Sequence, residues 1–155
     1  MEVLRTLACA LASSVTIRPL SILAIASVQL SPERKFADVE VDVIVQNVSV
    51  DGKTDFTFTV SSEDQETVNS VIEDIKEDVE YRDLIVNSDI AKVSLVGVGM
   101  RSQAGVASRA FKALSEKDVN IQIICTSEIK ITMVIDESLV DKAVQVLHEE
   151  FELDK

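Results

Sequence analysis

Several residue types on which catalytic and metal sites depend are scarce in this sequence. Tryptophan is absent, His148 is the one histidine, and Cys9 and Cys125 are the two cysteines. So few thiols and imidazoles exclude a disulfide scaffold and a cysteine-based zinc site, and they leave little room for imidazole chemistry. Basic residues are also few, with 15 Lys and Arg against 27 Asp and Glu. The net charge of −12 argues against a nucleic-acid or anionic-membrane surface, because phosphates require a basic face.

The residues that are present suffice for a packed core. Of the 155 residues, 46% are hydrophobic, which excludes a disordered chain and fits one compact domain or two very small ones. Because only 4% are aromatic, that core must consist of Val, Ile, Leu and Ala. Residues 1–30 are apolar, but Glu2 offsets Arg5, and Arg18 interrupts the run before the ~20 residues of a membrane span. We therefore expect a cytoplasmic protein whose N-terminus forms a buried strand and a helix.

The second half of the chain predicts the element order β-α-β-β-α. Its strands are rich in β-branched residues, and its helices carry apolar residues at helical spacing. A turn that contains Gly97, Gly99 and Gly105 joins the first strand to the first helix. The predicted elements are a strand at 92–98, a helix at 106–116, strands at 118–125 and 129–135, and a last helix that Asp136 or Ser138 caps.

The first half repeats this order. The aligned segments are 38–45 with 118–125, 56–60 with 129–135, and 15–18 with 93–96. Ser62 and Gln65 form a capping box at the start of the helix that follows. Two internal repeats therefore fill the chain. We expect a first domain at 1–90, with a core at 15–80 and a divergent segment at 19–37, and a second domain at 91–155.

Each repeat predicts a split β-α-β unit, so we expect an α+β fold of two tandem ferredoxin-like domains. Their sheets are antiparallel and carry helices on one face. The other face must be covered, either by packing the two repeats together or by pairing two chains. We therefore expect an obligate dimer.

No self-contained active site is visible in the sequence. Cys125 lies within an apolar strand, which predicts a buried, inert thiol, and His148 lies on a helix surface without a nucleophile beside it. The pair Gly97 and Gly99 forms only half of a dinucleotide-binding fingerprint. An independent small enzyme is thus the weakest of the functional hypotheses.

The turn from Gly97 to Gly105 is the strongest candidate for binding. A strand-to-helix turn rich in glycine exposes backbone N–H groups at a helix N-terminus, where a carboxylate binds well. Asn120 and Gln122 would add side-chain amides beside it. Such a place suits both ends of a free amino acid, although a purely structural turn would explain the glycines equally well.

Residues 92–155 closely resemble the C-terminal ACT domain of aspartate kinases. The motifs that carry the resemblance are Val-Gly-Val-Gly-Met-Arg-Ser at 96–102, Ala-Gly-Val-Ala at 104–107, Val-Asn-Ile at 119–121, Thr-Ser-Glu-Ile-Lys-Ile at 126–131 and Leu-His-Glu-Glu-Phe-Glu-Leu at 147–153. In the first repeat, Val-Asp-Val-Ile-Val-Gln-Asn at 41–47 and Asp-Gly-Lys-Thr-Asp-Phe-Thr-Phe-Thr-Val at 51–60 are similar to the other regulatory ACT domain of that family.

The resemblance implies a regulatory region that binds lysine, threonine or both, and so mediates feedback inhibition of aspartate-family amino-acid biosynthesis. Its implied partners are a second copy, an aspartate kinase catalytic subunit or domain, and free amino acids. No metal or cofactor is implied, since ATP would bind only the kinase domain. The implied effector-binding residues are Met100, Arg101, Ser102, Gln103, Ala104, Gly105, Val106, Asn120, Ile121, Gln122, Ile123 and Gln46, and the implied interface residues are Thr126, Ser127 and Glu128.

Two departures from the family pattern bear on function. The amino-acid kinase domain is absent, so we expect a small regulatory subunit or an isolated regulatory piece that does not phosphorylate aspartate alone. In the first repeat, residues 19–25 read Pro-Leu-Ser-Ile-Leu-Ala-Ile where the family has a loop of the Gly-Val-Pro-Asp-Arg-Pro-Gly kind. This replacement favours the alternative of a structural dimerisation subunit that has lost its ligand.

Overall fold

A computed structural model describes residues 4–20, 39, 41–48, 54–74, 76, 81–97 and 105–153. The strands and α-helices in chain order are β1 (Leu4–Leu20), β2 (Val41–Val48), β3 (Thr54–Ser61), α1 (Gln65–Asp74), β4 (Asp83–Gly97), α2 (Val106–Ser115), β5 (Ile121–Thr126), β6 (Lys130–Asp136) and α3 (Val140–Phe151). Short 3-10 turns at Ser62–Asp64 and Glu137–Leu139 lead into α1 and α3. The mixed order confirms the predicted α+β class.

The chain divides into two units. The first unit is Ala12–Ser88, and the second unit combines Met1–Leu11 with Asp89–Lys155. Strands β1 and β4 are long because each is divided between the two units. The strand order is β2-β3-β1-β4 in the first unit and β5-β6-β4-β1 in the second. Each unit thus has the four-stranded arrangement of a ferredoxin-like domain, as the repeats predict.

The N-terminal residues lie in a different unit from the one expected. The repeats predict a first domain at 1–90, whereas Met1–Leu11 group with the C-terminal half. The reason is that β1 neighbours β4, so the start of β1 supplies the fourth strand of the second unit. The sequence repeat offers no partner for residues before Val15, and a pairing between distant segments leaves no local pattern.

The core of the second unit lies between its sheet and the helices α2 and α3. Alternate residues of β4 and β6 face these helices, which contribute Ala110, Leu114, Ala143 and Leu147, each 0% exposed. At about 1.5–3 kcal/mol for each large apolar side chain removed from water, this cluster is the main source of the unit's stability. The sheet residues of the cluster are Val93, Leu95, Ile131, Met133 and Ile135.

The opposite face of the same sheet is also buried at its centre. Val134 is 1% exposed, and the hydroxyls of Ser94 and Thr132 lie 2.9 Å apart in a buried hydrogen bond across paired positions of β4 and β6. Each hydroxyl satisfies the other, so neither is buried without a partner.

The first unit has a smaller core of the same kind. Phe58 and Val60 of β3 pack against Val68 and Ile72 of α1. A β-bulge between Val41 and Ile44 interrupts the pairing of β2 with β3. The Val43 N–H donates instead to the Thr59 hydroxyl, 3.2 Å away, and this contact explains a buried threonine in an apolar cluster.

Element ends differ slightly from the predicted ones. The 3-10 turn before α1 is capped by Ser61, whose hydroxyl accepts from the Glu63 N–H, rather than by Ser62. Of the two candidates for the last helix, Asp136 is the cap, because its carboxylate accepts from the Ser138 N–H at 2.9 Å. β4 begins nine residues before its predicted start at Lys92, because it also serves the first unit.

The prediction of a buried thiol at Cys125 is wrong, since Cys125 is exposed. Cys125 lies on β5, the outermost strand of the second unit, and pairs with Thr132 of β6. An apolar alternating run is typical of any strand, whether central or at an edge. The sequence therefore identifies the strand without showing that its outer residues remain open to solvent.

Candidate functional site

Among the described residues, no side chain caps the backbone N–H groups at the start of α2. Gly105 is its N-terminal cap and has φ +100°, a left-handed conformation that favours glycine, and it makes no side-chain hydrogen bond. The first N–H groups of a helix have no acceptor within the helix, and the positive end of the helix dipole lies there. Gly105 is exposed, whereas Val106 is 6% exposed and belongs to the core. Of the two, Gly105 is therefore the residue open to a ligand, and Val106 anchors the helix.

The preceding five residues of the expected loop, Met100, Arg101, Ser102, Gln103 and Ala104, lie outside the described residues. The structure does describe the end of β4 at Gly97, which precedes this loop in the sequence. The Gly97 N–H donates to the Ile129 carbonyl at 2.9 Å, so the turn between β5 and β6 lies beside the end of β4. The residues expected at an interface, Thr126, Ser127 and Glu128, are all exposed in this turn or next to it.

Ser127 fixes the shape of that turn. Its N–H donates to the Lys130 carbonyl at 2.7 Å, and its hydroxyl accepts from the Lys130 N–H at 3.1 Å. Serine hydroxyls commonly replace a backbone partner in tight turns. The side chain of Ile129 is left 55% exposed on the same turn.

The strand residues expected to bind the effector lie towards the other end of β5. Ile121 pairs with Ile135, which pairs with Ala91, whereas the loop starts at Gly97. At about 3.3 Å per strand residue, this places Ile121 roughly 20 Å along the sheet from Gly97. Within the second unit, therefore, residues 120–123 and the end of β4 are not brought together.

These strand residues also differ in what they offer a ligand. Asn120 and Gln122 are exposed, with Gln122 at the β-bulge between Ile121 and Ile123. Ile121 is half-buried against the core of the second unit, and Ile123 is half-buried opposite Val134. Gln46 lies on β2 of the first unit, exposed and paired with Phe56.

Arg109 joins the first turn of α2 to the last turn of α3. Its N–H donates to the Gly105 carbonyl at 2.9 Å, while its side chain reaches the other helix. There Nε donates to Glu150 Oε1 and Nη2 to the Glu150 carbonyl, both at 2.7 Å, and Cζ lies 4.7 Å from the Phe151 ring centroid. Sequence reasoning placed Arg109 on the outer face of the helix and missed this contact, because its partner is 41 residues away.

Neither a metal site nor a membrane helix is found in the part of the chain that the structure describes. No three side chains of the His, Cys, Asp and Glu types are grouped there as metal ligands, and none of its helices is long and apolar enough to cross a membrane.

The comparisons with known proteins agree with this geometry. A family model described as "ACT domain" matches residues 93–151. The chain is 54% identical over 118 residues to an aspartate kinase, Ask_LysC, of Stutzerimonas stutzeri, and 52% identical over 118 residues to an aspartokinase of Pseudomonas aeruginosa. Each match covers 76% of this chain but 29% of the relative, so the chain spans under a third of those enzymes.

Two solved structures match over almost their whole length. A chain of the crystal structure of aspartokinase alpha and beta subunits is 32% identical, with a TM-score of 0.82 over 97% of this chain and 99% of the other. The ligand-free regulatory subunit of aspartate kinase from Thermus thermophilus is 25% identical, with a TM-score of 0.80 over 96% and 98%.

Proposed function

Because this chain belongs to the aspartate kinase family and corresponds to its ACT-domain regulatory region, we propose that it is a cytoplasmic allosteric sensor of lysine, threonine or both. The observation that carries the proposal is the near-complete match to regulatory subunits, together with the uncapped start of α2. Backbone N–H groups at a helix N-terminus suit the carboxylate that every free amino acid carries.

In this proposal a second copy of the chain completes the binding site. The loop 100–106 would take the carboxylate, and residues 120–123 would take the rest of the amino acid. Within one unit, however, Gly97 at the end of β4 lies roughly 20 Å along the sheet from Ile121, as counted at about 3.3 Å per residue. The strand that closes each site would come from that second copy, and the effector-binding role of residues 100–106, 120–123 and Gln46 is a proposal on that basis.

A homodimer supplies such a pair of units. Ile44 of β2 and Ile124 of β5 occupy equivalent positions in the two repeats, each three residues after the start of its strand and beside a β-bulge. They are 54% and 47% exposed, and their strands are outermost in their units. An outermost strand with an exposed large apolar residue favours association with another copy.

Regulation then follows from a shift of population. An effector that binds one arrangement of the ACT units more tightly than another shifts the equilibrium towards it, by at most its differential affinity. The catalytic partner is an aspartate kinase subunit or domain, in which ATP and aspartate bind. In this proposal the chain acts on that partner and not on a substrate of its own.

Thermal unfolding with millimolar lysine, threonine, or both tests this function. A ligand that binds only the folded state stabilises it by about 2.7 kcal/mol at about 100 times its Kd. We expect a rise in Tm with one or both effectors and none with glycine, which has the same carboxylate and amine. An equal rise with all three would indicate an unspecific effect and contradict the proposal.

A ligand-free dimerisation subunit is the second candidate. The altered sequence at 19–25 favours it, because the first repeat lacks the family's loop there. This candidate predicts a dimer whose Tm is the same with and without either amino acid.

A further inference from the structure

We propose that Arg109 is a positioning residue, which holds the first turn of α2 in the orientation that the amino-acid carboxylate requires. The inference rests on the proposed function for its ligand, but its structural part stands on contacts within the second unit. Arg109 connects α2 with α3, because its backbone N–H closes the first turn of α2 and its side chain hydrogen-bonds to Glu150 of α3.

The contact of Arg109 with α3 has three components that act together. The guanidinium donates once to the Glu150 carboxylate and once to the Glu150 carbonyl, and it stacks on the Phe151 ring. Such a fork with two donors fixes a direction as well as a distance, which a single point charge does not. The side chains of Arg109 and Glu150 are 53% and 35% exposed. This ion pair therefore lies at the surface and contributes more to the geometry of the contact than to the stability of the protein.

The end of α3 is a firm anchor for this contact. The helix ends with Glu152 in the left-handed region, and the Glu152 and Leu153 N–H groups donate to the Glu149 and His148 carbonyls. The Glu150 carbonyl, next in line, accepts from Arg109. A cation at this position is also favoured by the negative end of the helix dipole.

The start of α2 contacts the core through Val106 and Ala107. Its cap is a glycine without a side chain, and Val106 alone of the first turn is buried. A binding group that moves by a fraction of an ångström loses affinity for its ligand. Loss of the Arg109 contact is therefore expected to change ligand affinity without changing the fold.

The test compares R109A with K112A in the full chain. Lys112 forms an exposed ion pair with Glu116 at 3.7 Å, within α2 itself, so K112A is a matched control. Both changes introduce alanine, the strongest helix former, and any loosening of α2 in R109A is therefore not an effect of helix propensity. R109K, which keeps the charge but not the fork, tests whether geometry or charge matters.

Two readouts separate this inference from the proposed function. Calorimetry with lysine and threonine is expected to show a Kd for R109A weaker by roughly 3- to 30-fold, an intermediate value for R109K and an unchanged value for K112A. Hydrogen exchange in the absence of ligand is expected to be faster at the amides of residues 109–111 in R109A alone.

Each outcome decides one of the two claims. If the wild type binds neither amino acid, the proposed function fails, and the exchange measurement alone decides whether Arg109 orders the turn. If the wild type binds and R109A binds equally well, Arg109 has no positioning role. An equal loss of affinity in R109A and K112A would show a general charge effect and would also overturn the inference.

Discussion

Substitution of a single residue is expected to destabilise the protein where it leaves a buried polar group without its hydrogen-bond partner. Ser94 and Thr132 form such a pair, with their hydroxyl oxygens 2.9 Å apart and the residues 8% and 2% exposed. We predict that S94A destabilises the protein by about 1–3 kcal/mol, because it leaves the Thr132 hydroxyl buried without that partner.

T132V is expected to have a similar effect. The double variant should cost clearly less than the sum, as measured by urea unfolding of all four proteins. Additive costs would show that the hydroxyls do not depend on each other.

At the scale of elements, the cap of the last helix gives a prediction on pH. The Ser138 hydroxyl and the Ser138 N–H both hydrogen-bond to the Asp136 carboxylate and lower its pKa from the ordinary value. A lowered folded-state pKa stabilises the protein above the pKa of the unfolded state, and the effect is lost as the pH falls through the folded-state pKa. The stability difference between wild type and D136A should therefore be constant near neutral pH and shrink below about pH 4. Urea midpoints across this range measure it, and a difference that does not change with pH would contradict the assignment.

The sequence predicts the order of the helices and strands better than it predicts exposure or contacts between distant residues. The order β-α-β-β-α of the second half follows from local periodicity, since Val106, Ala110 and Leu114 lie on one stripe of α2. The exposure of Cys125 was not predictable, because alternation does not distinguish an edge strand from a central one. The contribution of residues 4–11 to the second unit and the contact of Arg109 with Glu150 both join distant parts of the chain, and no local pattern encodes them.

The whole molecule is expected to form a dimer that depends on its outermost strands. I124E places a charge on β5, and we expect it to weaken self-association because a buried, unpaired charge is costly at an interface. I85E is the matched control, since Ile85 is 46% exposed but lies on β4, which has neighbouring strands on both sides. Sedimentation equilibrium should show dissociation for I124E alone. If both variants dissociate equally, or neither does, β5 is not the contact.

Calorimetric titration of the purified protein with lysine and threonine, separately and together, tests whether the chain recognises an amino acid. We predict saturable heat with at least one of them, and a changed affinity for the second if both bind, because coupling between sites is reciprocal. Saturable binding would show that the second unit, with its partner copy, suffices for a site. The absence of heat from either would contradict the account and leave a dimerisation subunit that has lost its ligand.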